Sequence, residues 1–187
     1  MKMLITMLAT ATLALSAHAE TFTIDTGHAE IGFSVKHMMV SNTKGSFNSF
    51  EGTIDYDIAS GTLKGMQGTI QTSSIDTNNE KRDNHLKNSD FFDVEKYPAM
   101  TFKSTSVEKK GDNTYEVTGM LNVLGVDRQV VLPITVNGPI DDRYGFKRIG
   151  IESETVVNRR ELGIVNSPAS MIGDEVRISL QFEATYK

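Results

Sequence analysis

Residues 175–184 read Glu-Val-Arg-Ile-Ser-Leu-Gln-Phe-Glu-Ala, and this stretch decides the fold class. Every second residue is apolar and every residue between is polar. A strand therefore puts Val176, Ile178, Leu180, Phe182 and Ala184 on one face and water-facing groups on the other, whereas a helix would scatter them around its circumference. The same period returns upstream. Ile31, Phe33, Val35 and His37 share a face against Gly32, Ser34 and Lys36. Tyr115, Val117, Gly119, Leu121 and Val123 oppose Glu116, Thr118 and Asn122. Val130, Leu132, Ile134 and Val136 form a third set, and Ile149, Ile151, Ser153, Thr155 and Val157 a fourth. Weaker strands are readable at 22–25, 45–57, 65–74 and 100–109.

Turn residues separate these runs: Ser60-Gly61, Lys110-Gly111-Asp112-Asn113, Leu124-Gly125-Val126-Asp127 and Asn137-Gly138-Pro139. The short spacings predict antiparallel neighbours. One stretch, 77–97, departs from the period. Asp76 or Asn79 can cap a helix there, residues 80–87 predict about two helical turns, Leu86, Phe91 and Phe92 supply apolar anchors, and Pro98 ends the segment. The expectation is one all-β domain, a closed barrel or a two-sheet sandwich, with a short helical insertion around 79–97.

Composition narrows the class. The 187 residues are 39% hydrophobic and 23% charged, which is globular rather than disordered. A formal charge of −5 gives no general attraction for nucleic acid or anionic membrane. With no cysteine, disulfides, thiolate metal sites, cysteine nucleophiles and a lipidated N-terminus all drop out. At the start, Lys2, an apolar run over 3–15 and Ala17-His18-Ala19 have the form of a signal peptide cut after Ala19. The expected organisation is residues 1–19 as a removed leader and 20–187 as an exported, periplasmic domain. An outer-membrane barrel is disfavoured, because there is no Trp and the 7% of aromatics are too scattered for two girdles.

No local motif supports catalysis: there is no nucleophile elbow, phosphate loop or dinucleotide fingerprint. His28, His37 and His85 lack the spacing of a metal site, though folding could assemble one. Met38, Met39 and Met66 read as adaptable apolar filling near inward positions. Two clusters stand out, Arg82-Asp83-Asn84-His85-Leu86 with Phe91-Phe92, and Asn158-Arg159-Arg160-Glu161-Leu162-Gly163. They suit either a polar network at a barrel mouth or loop residues that hold the insertion down.

The order of several motifs resembles the YceI-like family of exported, lipocalin-like, polyisoprenoid-binding barrels. They begin with Phe22-Thr23-Ile24-Asp25, His28-Ala29-Glu30-Ile31-Gly32-Phe33 and Lys36-His37. Gly45-Ser46-Phe47, Phe50-Glu51-Gly52, Ser74-Ile75-Asp76-Thr77 and the Arg82–Leu86 run follow, and then Asp90-Phe91-Phe92-Asp93-Val94 and Tyr97-Pro98. Phe102-Lys103-Ser104, residues 119–126, Asn158-Arg159 and Gly163 complete the series. Ala29 stands where the family often has Ser. The resemblance implies an antiparallel lipocalin-like β-barrel enclosing a long apolar tail, a polyisoprenoid or an isoprenoid quinone, with no covalent cofactor. The tail would touch some of the inward residues Phe33, Val35, Phe47, Leu121, Val123, Leu132, Ile134, Ile151, Ile178, Leu180 and Phe182, others of them being plain core. Arg82, Asp83, His85, Asn158 and Arg159 are the candidates for a polar head at the mouth. The expected partner is a small lipidic ligand, with no nucleic acid, no stable membrane insertion and room for a homodimer. Two other readings are a periplasmic enzyme or redox accessory acting on a quinone-like molecule, and an interaction module with a solid core.

Overall fold

The computed structural model describes residues 19–187; the expected leader, but for Ala19, lies outside the described residues. Ten strands follow one another: β1 (Glu20–His37), β2 (Ser41–Phe47), β3 (Phe50–Asp57), β4 (Thr62–Gln71), β5 (Ile75–Asp76), β6 (Ala99–Lys109), β7 (Thr114–Val123), β8 (Val126–Asp141), β9 (Lys147–Asn158) and β10 (Ile172–Tyr186). Helix α1 (Glu80–Lys87) lies between β5 and β6. All ladders are antiparallel. The ring runs β1, β3, β4, β6, β7, β8, β9, β10 and back to β1, so eight strands close a barrel rather than a sandwich. Closure comes from β10, which pairs with β1 from Thr23–Thr185 to His37–Ile172. A closed ring leaves no long edge to aggregate.

The long β1 serves two neighbours. Its lower part, Glu20 to Thr23, pairs with β3, and its upper part, Gly32 to His37, pairs with β2. β2 and β3 are nearly one strand, interrupted at Asn48-Ser49, where backbone bonds run instead to Ser74 and Gln71. β1 is continuous where the alternation suggests two strands. Between Asp25 and Ala29 its register against β10 shifts, and Thr26-Gly27-His28 bulges outward. Arg148 pins this bulge. Its guanidinium donates to Asp25 (2.8 Å) and pairs with Glu183 and Asp142, and it holds the Asp25 carboxyl below the usual carboxylate range.

The turn expected at Asn137-Gly138-Pro139 does not form. β8 passes straight through, and Gly138 and Pro139 make an irregularity between the Asn137–Gly150 and Ile140–Arg148 pairs. Glycine tolerates the φ of 103° at Gly138, and Pro139 lacks the N–H that a regular ladder needs, so both residues suit a bulge as well as a reversal. At Leu124-Gly125, by contrast, both residues are left-handed (φ 54° and 71°), as a tight hairpin between β7 and β8 requires.

The helix forms where its signals stand. The Asn79 side chain accepts from the Arg82 N–H at 3.0 Å, satisfying one of the free donors of the first turn. Beyond α1 the chain folds back: Phe92 N–H donates to Leu86 and Val94 N–H to Lys87. Thr72 Oγ1 then ties the Tyr97 carbonyl to the upper end of the barrel at 2.8 Å.

Inside, two apolar clusters stack along the barrel axis. The lower includes Phe22, Ile54, Tyr115, Val117, Ile134, Ile149 and Ile151, all essentially without exposure, and each such side chain gains roughly 1.5–3 kcal/mol from burial. Phe22 meets Tyr56 edge-to-face at 6.1 Å, and the Tyr115 hydroxyl donates to the Gly61 carbonyl at 3.0 Å, closing the floor. The upper cluster holds Ile31, Phe47, Ile75, Phe91, Met100, Val123, Leu162 and Ile164. Outward positions such as Glu152, Glu154, Arg177 and Gln181 are exposed, so the apolar face looks inward. No helix among the described residues is long and apolar enough to cross a membrane.

Candidate ligand-binding site

The upper half of the barrel is not filled. Phe33, Val35, Leu121, Val130, Val176, Ile178 and Leu180 point inward by the strand pleat, yet each is only partly buried. In a packed interior such positions would be closed to water. They surround a cavity of about 470 Å³, within the roughly 300–1,000 Å³ of small-molecule sites. Register explains the apolar wall. Val35 faces Val176 across the β1–β10 ladder, Phe33 faces Ile178, and Ile31 faces Leu180. Opposite Phe33 on β2 stands Gly45, and a Cβ there would strike the ring, so glycine lets the aromatic lie flat against its neighbour strand. Phe33, Phe47 and Phe92 continue as an aromatic row, at centroid distances of 5.8 and 5.6 Å.

The upper rim carries basic groups, while Glu51, Gln67, Thr69 and Thr101 also line the cavity along β3, β4 and β6. Lys36, His37, Arg82 and His85 line the opening. Arg82 Nε and Nη2 donate to the Thr77 hydroxyl and carbonyl at 2.7 and 2.8 Å, and Nη1 has no hydrogen-bond partner among the described residues. His85 stands edge-on to Phe91 at 5.1 Å and contacts Asp90 at 3.4 Å, with much of its ring exposed. The wall is parted on one side. The β8–β9 ladder ends at Thr135–Glu152, and above it a cleft of about 280 Å³ shares Val130, Thr155, Val157 and Leu162 with the cavity. Among the described residues Thr155 Oγ1 reaches across, donating to Val131 O at 3.4 Å.

Of the expected tail contacts, Phe33, Val35, Phe47, Leu121, Val123, Leu132, Ile178, Leu180 and Phe182 line this cavity. Ile134 and Ile151 do not; each is 1% exposed in the solid lower core. Among the expected head contacts, Arg82, His85 and Arg159 reach the cavity wall. Asp83 is turned away: it is buried, and its Oδ1 accepts from both the N–H and the hydroxyl of Thr77. Asn158 accepts from the Arg160 N–H at 2.9 Å and borders the lateral cleft.

Arg159 is a strut. Its Nε donates to Gly173 O, Nη1 to Ile164 O and Asn166 O, and Nη2 to Ser167 O and Ile172 O, all at 2.7–3.0 Å. A guanidinium has five N–H donors, so none is left for a head group. Burial lowers its pKa from the usual arginine value, and the adjacent Asp174 carboxylate counters this. Together with Arg160, which binds Asp174, Val165 O and Ser167 O, it shapes the β9–β10 loop into part of the wall. Leu162 and Ile164, which this loop delivers to the cavity, were beyond strand periodicity; Val130, Val157 and Val176 share the period of their neighbours and were legible.

Met38 and Met39 do not point inward as expected. They are exposed at the tip of the β1–β2 hairpin, while Met66 packs in the lower core. Folding does bring His28 to Asp25 and Glu183, three ligand atoms within 4.8 Å, but Arg148 already places a positive charge on both carboxylates.

A closed antiparallel barrel with a sealed floor, an apolar upper cavity and a basic rim defines a small-molecule-binding barrel. Residues 22–184 match the YceI-like domain, and the chain belongs to that family. It is 39% identical over 168 residues to a UPF0312 protein of Pectobacterium atrosepticum, covering 89% of this chain and 86% of that one. The crystal structure of Burkholderia cenocepacia BcnA superposes with a TM-score of 0.78 at 25% identity, covering 86% of this chain and 99% of that one. A polyisoprenoid binding domain from Saccharophagus degradans, implicated in plant cell wall breakdown, has the same fold, with a TM-score of 0.70 at 13% identity over 90% of this chain and 99% of that one.

Proposed function

We propose that the protein is a periplasmic carrier or reservoir for an isoprenoid or similar long-chain amphiphile, whose tail occupies the upper cavity and whose head rests at the rim. The observation that carries this reading is the set of inward apolar side chains left half-buried around about 470 Å³. Each five-carbon unit that fills such a space gains roughly 4 kcal/mol at about 0.8 kcal/mol per carbon, before the costs of ordering. Apolar contacts read length and shape loosely, so selectivity falls to the head group. Arg82 Nη1 and the exposed His85 ring are the donors free to meet a phosphate or quinone oxygen. The ligand class follows the family resemblance and the polyisoprenoid binding of the Saccharophagus degradans domain.

The role is binding rather than conversion. The test is native mass spectrometry of the mature protein purified without detergent, with solvent extraction of any adduct. A retained polyprenyl-type molecule, recovered chemically unchanged, is the expected result. A bare mass that stays bare after incubation with isoprenoid quinones and polyprenyl phosphates would overturn the carrier reading and favour the interaction module.

A further inference from the structure

His37 and Ser41 pair across the β1–β2 hairpin, so its tip is Met38-Met39-Val40, with Val40 N–H donating to His37 O at 3.1 Å. Met38 and Met39 both have left-handed backbones (φ 47° and 59°). Two successive left-handed positions call for Asn, Asp or Gly, which reach that region at little cost. Methionine gains nothing from the turn itself. Nor are these side chains buried: Met38, Met39 and Val40 are 57%, 59% and 83% exposed. A strained turn that holds three apolar side chains in water is a conflict between local and global preference, of the kind found at functional positions.

The tip is not isolated. Met38 N–H donates to Met171 O at 2.7 Å, joining the hairpin to the β9–β10 loop that Arg159 braces. That loop adds exposed Val165 and Met171. His37 and Met171 also line the cavity, so the tip and the loop both adjoin its mouth. Lys36, which also edges the opening, and Lys44 stand below the tip on β1 and β2; Glu161, Glu175 and Asp90 are among the acids exposed at the same end, so the basic charge is confined to the side of the hairpin.

We propose that this rim docks on a phospholipid bilayer and sets the cavity mouth against the surface while a guest is exchanged; the inference rests on the carrier reading. Five apolar side chains are few against the roughly 20–30 residues a side of a stable protein interface, which disfavours a second copy as the occupant. They are enough for shallow insertion at the headgroup boundary, with the two lysines beside anionic lipid.

The test is flotation of the mature protein with vesicles of phosphatidylethanolamine and phosphatidylglycerol, beside the rate at which it takes up isoprenoid quinone from those vesicles. The variant Met38→Asn, Met39→Gly, Val40→Ser supplies residues the turn prefers, so the fold keeps or gains thermal stability. Vesicle partitioning and uptake rate should each fall at least about tenfold, while capacity for quinone added without vesicles stays at the wild-type level. Ile140→Ser, removing an exposed apolar group near the floor of the barrel, should change neither. Wild-type partitioning by the triple variant would overturn the proposal, and so would a wild type that stays with the soluble fraction. A dimer lost in the triple variant would also overturn it, assigning the rim to a second copy. A wild type that floats yet takes up no quinone would uphold docking and sink the carrier reading alone.

Discussion

The cavity in the upper half predicts the sign of a size increase at one position and its reverse at another. Val176 points into the cavity opposite Val35 and is half-buried, whereas Ile151 is 1% exposed within the lower core. Val176→Phe adds about four carbons. At roughly 0.8 kcal/mol per buried carbon that is about 3 kcal/mol at most, less about 1 kcal/mol of side-chain entropy. With imperfect fit the expected net is about 1 kcal/mol of stabilisation. Ile151→Phe adds about three carbons where there is no space, and overpacking should cost about 1–3 kcal/mol. The two variants should therefore differ by about 2–4 kcal/mol in urea unfolding of ligand-free protein. In thermal scans a domain of this size shifts roughly 2–4 °C per kcal/mol. The same Phe at 176 should reduce capacity for a long-chain guest. If Val176→Phe destabilises as much as Ile151→Phe, the cavity is closed in solution and the binding argument fails.

Three further outcomes follow from particular contacts. Ser153 Oγ is buried on the inward face of β9 and has no hydrogen-bond partner among the described residues, so Ser153→Ala should stabilise the ligand-free protein by about 1 kcal/mol in urea unfolding; a loss of stability would show that the hydroxyl is satisfied. Arg159→Met removes a donor from five carbonyls, of which Ser167 O keeps Arg160, and should cost about 3 kcal/mol or more, with faster amide exchange over residues 160–173; exchange unchanged there would refute its bracing role. The Asp25 carboxyl is held below its ordinary value of 3.8, first by the Arg148 hydrogen bond and then by His28. A lowered folded-state pKa gives stability that is full above about pH 3.8 and is lost as pH falls further through the folded value. Arg148→Met should accordingly flatten the acid limb of the unfolding profile, and an unchanged limb would contradict the assignment.

How much of this was legible depends on what a period can encode. Alternation in 115–123 and 175–184 placed each side chain on the correct face, because the pleat alone decides it. Helix α1 was readable from a cap and a following proline, both local signals. Height along the barrel axis was not. Leu132 and Ile134 share one phase of one strand, yet Leu132 lines the cavity and Ile134 lies in the floor, since the distinction depends on which strands cross at each level. The bulge at Thr26-Gly27-His28 escaped for a similar reason: its anchor, Arg148, is 123 residues away from Asp25. Arg159 was singled out as a polar group at the mouth, but its partners are carbonyls spread over 164–173, which carry no side-chain signature.

The packed floor built by Phe22, Tyr56 and Tyr115 has a kinetic meaning. A tube open at both ends could let an elongated guest thread through and be pushed out by its successor. A vessel stoppered at the bottom cannot, so a guest that enters by the rim, rather than by the cleft between β8 and β9, has its first end out last. An amphiphile that enters by its tail leaves its polar terminus outermost throughout the journey. On the carrier reading proposed above, delivery would be a handover by the head: an acceptor would grasp the one part of the molecule that was never hidden, and draw the tail out behind it.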